Sequence, residues 1–130
     1  MRVLLDQGVP APLRKHLSRS EFVDYLSELL APLGRIRVKA MFGGHGLYCD
    51  ERFFAIIIAD TLYLKADDPT RETFIKAGLK PFVFVMRGVE QRMSYYTVPA
   101  EALEDFDEMR PWAQLALAAA GRAAAKKRKK

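Results

Sequence analysis

The sequence contains few of the residues from which cross-links and metal sites are built. Its 130 residues include one cysteine and two histidines. A single cysteine cannot close an internal disulfide, which is typical of a reducing compartment, and we expect a cytoplasmic protein. One cysteine and two histidines are also too few for an ordinary structural zinc site. The sequence therefore predicts neither a disulfide framework nor a bound metal or other cofactor.

Long apolar runs are also missing. The longest one covers residues 53–59, whereas a membrane-spanning helix needs about 20 apolar residues. The N-terminus reaches an acid already at Asp6, before any apolar stretch of the kind found in signal peptides. We therefore expect no membrane span, no secretion signal and no membrane partner.

The positive charge is unevenly distributed. The formal net charge is +5, but residues 122–130 carry six basic side chains and no acid, which leaves −1 for residues 1–121. Because like charges repel, we expect residues 121–130 to form a basic flexible tail. Two interpretations stay open, a solubilising end or a weak, sequence-independent contact with nucleic acid. The tail residues proposed for that contact are Lys126, Lys127, Arg128, Lys129 and Lys130.

A folded domain is predicted to begin near Ser18. Ser18 and Glu21 have the spacing of a helix capping box, and apolar residues recur every three or four positions after them, as on one face of a helix. Residues 1–17 show no comparable pattern. We interpret them as an atypical N-terminal extension and expect the domain to cover residues 18–120.

Short strands are predicted after this helix. Arg35, Arg37 and Lys39 alternate with apolar residues, which indicates a half-buried strand with a basic outer face. Such a face is either simply solvated or binds anions, so these three residues are further candidates for nucleic-acid contact. Residues 53–58 are apolar at every position, which predicts a central strand. Tight polar turns between the strands up to residue 65 favour an antiparallel meander.

A glycine cluster lies between the first two strands. Gly43, Gly44 and Gly46 surround His45, which predicts a tight turn with positive φ, and the Lys-Ser/Thr pair of a phosphate-binding loop is missing. His45 and Cys49 would lie ~13 Å apart along one strand, too far for a catalytic dyad. We expect His45 to be a turn residue and Cys49 a small core residue.

The second half of the chain predicts a helix, two strands and further helix. Asp68 is a plausible N-cap, and Phe74 and Ile75 are expected to contact the core. Trp112 is expected to anchor a last helix that ends near Gly121. Because Pro111 is unfavourable inside a helix, we expect a break or a new start near Asp107. The order of elements predicts an α+β fold, an antiparallel sheet of about five to six strands with flanking helices.

Several ordered motifs resemble one known family. Residues 41–48, read as Met41-Phe42-Gly43-Gly44-His45-Gly46-Leu47-Tyr48, resemble the signature of the TfoX N-terminal domain, the front half of bacterial competence regulators called TfoX or Sxy. The match continues through residues 93–99 and covers roughly residues 20–119. The family-motif residues are Met41, Phe42, Gly43, Gly44, Gly46, Tyr48, Tyr95, Tyr96, Pro99 and Trp112.

The resemblance implies an antiparallel sheet flanked by helices, similar to the secretion-chaperone-like fold, with no known catalytic activity. Full-length relatives look like co-activators of the cyclic-AMP receptor protein and carry a second, helical C-terminal domain. We therefore expect a non-enzymatic regulatory or protein-interaction domain, linked to transcription or competence regulation, with a protein partner and a monomeric or homodimeric state. Two alternatives stay open: a nucleic-acid-associated protein that binds weakly through its tail, and an unrecognised enzyme.

Overall fold

The computed structural model describes residues 18–41 and 43–129, without the side chains of the last two, and contains one six-stranded sheet. The strands are β1 (Ile36–Met41), β2 (Gly44–Cys49), β3 (Arg52–Ile58), β4 (Thr61–Lys65), β5 (Pro81–Met86) and β6 (Val89–Tyr96). The helices are α1 (Arg19–Leu30), α2 (Asp68–Lys76) and α3 (Phe106–Lys129), and short 3₁₀ turns cover Ala31–Leu33 and Ala100–Leu103. The predictions for residues 1–17, Phe42 and Lys130 lie outside the described residues.

The sheet confirms the predicted α+β fold. Its strand order is β1-β2-β3-β4-β6-β5, and every neighbouring pair is antiparallel. Strand β3 lies inside the sheet and is buried over most of its length, as its apolar composition predicted. Three hairpins close through two-residue turns in which both residues have positive φ, at 50–51, 59–60 and 87–88. Such turns match the natural twist of the strands that they join.

Helix α1 begins as the capping signal predicted. The Glu21 N–H donates to Ser18 Oγ at 3.2 Å, and the Ser18 N–H donates to a Glu21 carboxylate oxygen at 2.9 Å. Two backbone donors that the helix cannot satisfy internally are thereby satisfied. The apolar stripe of α1 packs into the core, where Leu26 and Leu30 are fully buried.

Helix α2 begins one residue earlier than predicted, because its N-cap is Asp67 and not Asp68. The Asp67 N–H donates to Thr70 Oγ1 at 3.0 Å, and the Thr70 hydroxyl donates back to the Asp67 carboxylate at 3.1 Å. The core prediction was right for Phe74, which is fully buried, and wrong for Ile75, which is 48% exposed. Successive residues of a helix point about 100° apart. A helix that packs along one side therefore buries Phe74 and leaves its neighbour Ile75 exposed.

Helix α3 confirms one prediction and corrects another: it makes a new start at Phe106, next to Asp107, but it does not end near Gly121. Pro111 lies inside it without a break, and the helix continues through Gly121 to Lys129. Pro111 is exposed in the second turn, so it removes one hydrogen bond without displacing a core side chain. Beyond Gly121, the Arg122 guanidinium donates two hydrogen bonds to the Asp67 carboxylate, at 2.6 and 3.0 Å. This contact holds Arg122, the first basic residue of the predicted tail, whereas Lys126 and Lys127 are exposed.

The helices bury one face of the sheet. Helix α3 packs against β3 and β4 through small residues, of which Ala113 and Ala116 are fully buried. Trp112 is only partly buried and contacts the Phe74 ring at a centroid distance of 5.3 Å. No helix within residues 18–41 and 43–129 combines the length and apolarity that a membrane span requires.

Candidate interaction face

An apolar groove lies on the face of the sheet that the helices leave uncovered. Its volume is about 390 Å³, which falls in the range of ligand and peptide sites, roughly 300–1,000 Å³. None of its lining side chains belongs to the core cluster that the helices cover. We call this side of the sheet the open face. The lining residues are Phe53, Ile56, Ile58, Phe82, Phe84, Met86, Met93 and Tyr95.

The strand sequences explain why this face is apolar. Side chains alternate between the two faces of a strand, and β5 is apolar at both sets of positions. In β3 the register against β2 shifts, so that Tyr48 pairs with Phe53 whereas Leu47 pairs with Ala55. The extra residue, Phe54, is fully buried in the helix-covered core. A bulge of this kind redirects side chains, and here it supplies large apolar groups to both faces.

A row of aromatic rings crosses the open face and meets a lysine. The Tyr48 and Phe53 ring centroids are 5.1 Å apart, and those of Phe53 and Tyr95 are 6.1 Å apart. Lys65 Nζ lies 3.2 Å from Tyr95 Oη and 5.0 Å from the Tyr95 ring centroid. Within the described residues, Lys65 forms no ion pair with a carboxylate. The edge of the groove therefore carries a cation that no carboxylate of the described residues contacts as an ion pair.

Burial shifts the pKa values of both Lys65 and Tyr95. Burial, the largest cause, lowers the pKa of the Lys65 ammonium, and the neighbouring Lys127 lowers it further while Asp67 opposes them. Burial raises the pKa of the Tyr95 hydroxyl to about 12, and Tyr48 adds to this. Tyr95 is therefore a neutral phenol at physiological pH and cannot neutralise Lys65.

The basic outer face of β1 lies on the same side of the sheet. Arg37 pairs with Tyr48 in the strand register, and its guanidinium carbon lies 4.2 Å from the Tyr48 ring centroid. Arg37 is also held by Glu51, through hydrogen bonds of 3.1 and 2.8 Å. Lys39 follows two residues later on the same face. The structure thus brings Arg37, Lys39 and Lys65 to one face, with Arg37 already paired.

The structure describes the side chains of only some of the basic residues that were predicted to contact nucleic acid. Lys126 and Lys127 are exposed on the last turns of α3, and Lys127 is near enough to influence Lys65. The side chains of Arg128, Lys129 and Lys130 lie outside the described residues. Arg35 lies just before β1, where its backbone N–H donates to the Asp50 carboxylate at 3.0 Å. Of the predicted contact residues whose side chains are described, Lys127 is therefore the one that the structure brings within electrostatic range of Lys65.

The motif glycines act differently from the prediction. Gly43 has positive φ, at 75°, but Gly44 and Gly46 do not. Both of these are buried in β2, and a Cβ on Gly44 would overlap the carbonyl oxygen of Ile57. A Cβ on Gly46 would lie 2.6 Å from the Met41 methyl group. The turn prediction is therefore wrong for these two glycines: Gly44 has no room for a side chain against the Ile57 backbone, and a side chain at Gly46 would have to displace the ends of Met41 and Phe53.

The remaining motif residues are mostly structural. Tyr95 and Tyr96 point to opposite faces, as their extended backbone predicted: Tyr95 lines the groove, and Tyr96 stacks on Phe74 in the core at 5.5 Å. Pro99 is partly buried directly before a 3₁₀ turn. These positions support the sheet and its helices, and of the two tyrosines Tyr95 contributes to the open face.

The structure places His45 and Cys49 in strand β2. His45 was predicted as a turn residue, and this is wrong, because β2 begins at Gly44. Cys49 is a buried core residue as predicted, and burial, with a smaller contribution from Asp50, raises the pKa of its thiol. Among the described residues, no three His, Cys, Asp or Glu side chains are grouped as metal ligands.

The groove itself was not predicted. Its signal in the sequence is the run Phe82-Val83-Phe84-Val85-Met86, in which an edge strand has apolar residues on both faces. A sequence does not show that this strand lies at an edge, nor which face the helices cover. Lys65 is not among the predicted site residues for the same reason, since its contact with Tyr95 joins residues that are 30 positions apart in the chain.

The fold and this face define a class of protein: a small α+β domain with one sheet face covered by helices and one apolar face that no described helix covers. A profile of the family described as the TfoX N-terminal domain matches residues 28–120. Because the match covers more than half of the chain, the protein belongs to the TfoX N-terminal domain family. No curated protein matches the chain significantly.

Proposed function

We propose that this protein is a non-enzymatic, cytoplasmic regulatory domain that binds another protein through the open face, and that its regulatory role concerns transcription or competence. The groove carries this proposal. Exposed apolar side chains that are grouped in a concave site favour binding of apolar ligand groups, and Met86 and Met93 expose this groove to solvent. The raised pKa of the buried Cys49 thiol makes it a poor nucleophile, which is consistent with a binding role.

The groove also indicates the chemistry of the partner. Its lining is made of Phe, Ile, Met and Tyr side chains, which favour apolar side chains in the bound segment. Lys65, at the rim beside Tyr95, has no carboxylate partner among the described residues. A partner carboxylate would supply the missing charge. We therefore propose that the bound segment carries apolar residues and at least one acid.

The test compares two exposed apolar residues of similar accessibility on different surfaces. Met93 lines the groove and is 40% exposed, whereas Ile75 lies on α2 and is 48% exposed. We expect Met93→Lys to abolish capture of the partner from native extract, with nuclease present, and Ile75→Lys to retain it. Loss of capture on nuclease treatment alone, or equal retention by both variants, would contradict the proposal.

A second candidate function is weak nucleic-acid binding. The observation that favours it is the approach of Lys127 on α3 to Lys65 on the open face, beside rings on which bases can stack. The rings already pack on one another and Arg37 is paired with Glu51, which is why we place this function second.

A further inference from the structure

The two edge strands of the sheet differ in how well they are protected against pairing with a strand of another chain. An edge strand exposes unpaired N–H and C=O groups, and proteins protect such edges with charged residues, proline, bulges or a covering element. Edge strand β1 carries Arg37 and Lys39 on its exposed positions. Edge strand β5 carries no charged residue and has proline only at its first position. Val85 and Met86 on β5 are 67% and 54% exposed.

No described element covers β5 from the outside. The core cluster under the helices contains no residue of β5. The β5–β6 hairpin also extends beyond the rest of the sheet, because β6 pairs with β4 at only two positions, Leu64↔Tyr96 and Lys65↔Tyr95. In this projecting part of the β5–β6 hairpin, Phe84 and Met86 lie on one face, and Val83 and Val85 lie on the other. The outer edge of β5 is not paired with any other described strand.

The backbone groups that point away from β6 can be identified. A two-residue hairpin turn closes on a hydrogen-bonded pair, and bonded and non-bonded pairs alternate along an antiparallel ladder. The closing pair here is Met86↔Val89, followed by Val85↔Glu90, Phe84↔Gln91 and Val83↔Arg92. Val83 and Val85 therefore direct their N–H and C=O groups towards the free edge.

We propose that β5 pairs with β5 of a second copy of the chain, antiparallel and about a twofold axis at Phe84, to form one continuous sheet. In this register Val83 of each copy lies opposite Val85 of the other, so the outward backbone groups meet in hydrogen-bonded pairs. Phe84 lies opposite its own equivalent, and Phe82 lies opposite Met86. The interface is self-complementary, as a twofold interface requires, and opposes no charges.

The other edge shows why β5 is the edge that self-associates. The same twofold operation applied to β1, about Val38, would place Arg37 of one copy opposite Lys39 of the other. Like charges directly opposite each other destabilise a strand pair. Phe84 also lines the groove, so the dimer joins the two grooves at the axis. This inference goes beyond the proposed function because it requires no other protein.

The first experiment measures the mass of the full chain by sedimentation equilibrium over a range of concentrations. We expect a reversible dimer. Val85→Lys gives β5 the kind of charge that protects β1, and we expect it to be monomeric at concentrations where the unchanged chain is dimeric. Val89→Lys is the matched control, because Val89 is on the same hairpin and 57% exposed but lies on β6, and it should remain dimeric.

A second experiment tests the register. In a Cys49→Ala background, Phe84→Cys places a thiol at the axis, where non-hydrogen-bonded partners have Cβ atoms within reach of a disulfide. We expect mild oxidation to cross-link the chain into covalent dimers, and Val89→Cys to cross-link far less. A full chain that is monomeric throughout, or a dimer that survives Val85→Lys unchanged, would overturn the proposal. Far-UV circular dichroism of each variant shows whether the fold is retained.

Discussion

At the scale of single residues, two glycines of β2 lie so close to neighbouring atoms that an added Cβ would be too near them. The Gly44 position faces the backbone oxygen of Ile57, and the Gly46 position faces the ends of the Met41 and Phe53 side chains. A side-chain end can rotate away, whereas a strand carbonyl cannot move without disturbing the ladder. Gly44 is therefore the less replaceable of the two.

We expect Gly44→Ala to destabilise the fold by about 1–3 kcal/mol, the usual cost of overpacking. Urea unfolding followed by circular dichroism measures this change in the free energy of unfolding. Gly43→Asn is the matched control, because nothing lies within 4 Å of a Cβ at Gly43 and its φ is 75°, which asparagine tolerates. A Gly44→Ala variant as stable as the unchanged chain would show that β2 can move away from β3.

The buried thiol predicts low reactivity. Only the thiolate is the nucleophile, and burial raises the pKa of Cys49, so little thiolate forms at neutral pH. We expect labelling of the native protein by a thiol reagent at pH 8 to be much slower than labelling of the same protein in denaturant. Fast labelling of the folded chain would identify Cys49 as a reactive residue instead of a packing one.

At the scale of elements, an ion pair joins the C-terminal part of α3 to the start of α2. Arg122 donates two hydrogen bonds to Asp67, and Asp67 also caps α2 through Thr70. One carboxylate thus connects the two helices. The hydrogen bonds from Arg122, the largest cause, lower the pKa of Asp67.

This lowered pKa predicts a pH dependence. A carboxyl group with a lower pKa in the folded state stabilises the fold above its unfolded pKa, about 3.9 for aspartate, and loses that contribution as pH falls through the folded pKa. We expect Asp67→Asn to be less stable than the unchanged chain at pH 7 and the difference to shrink below about pH 4. Urea midpoints across this range measure it.

The control for this prediction is Asp24→Asn on α1. Asp24 is exposed and forms no ion pair within the described residues. It should show no comparable difference at pH 7. If the difference between Asp67→Asn and the unchanged chain were constant from pH 7 to below pH 3, the stabilisation would come from uncharged hydrogen bonds instead of the ion pair.

At the scale of the whole molecule, charge is segregated. The sequence outside residues 122–130 is close to neutral, so any affinity for nucleic acid should depend mainly on the basic end. Arg122 is already paired with Asp67, which leaves five basic residues at positions 126–130. Engaging all five would make log K fall with log salt at a slope of about −4 to −5.

We expect replacement of these five residues by glutamine to remove most of that slope, as measured by fluorescence anisotropy with duplex DNA at several salt concentrations. The variant Arg35→Gln/Arg37→Gln/Lys39→Gln should largely retain it. The opposite result would assign the contact to the β1 face. If the unchanged chain shows no binding at physiological salt, the second candidate function is wrong.

Much of the fold follows from local signals. The capping box at Ser18, the alternation after Arg35 and the uniformly apolar stretch of β3 involve residues within a few positions of each other, and each predicted the right element. The basic face of β1 was likewise readable, because alternation assigns side chains to faces. These are interactions that a short segment makes with itself or with solvent.

Only the tertiary structure decided the rest, because it depends on contacts between distant segments. Asp67 caps α2 and receives Arg122 from 55 residues away, in the part of α3 that lies past Gly121. Gly44 is required by a strand carbonyl that the chain brings beside it. The open groove exists because the helices within the described residues all pack on one face of the sheet, and no local pattern states which face that is.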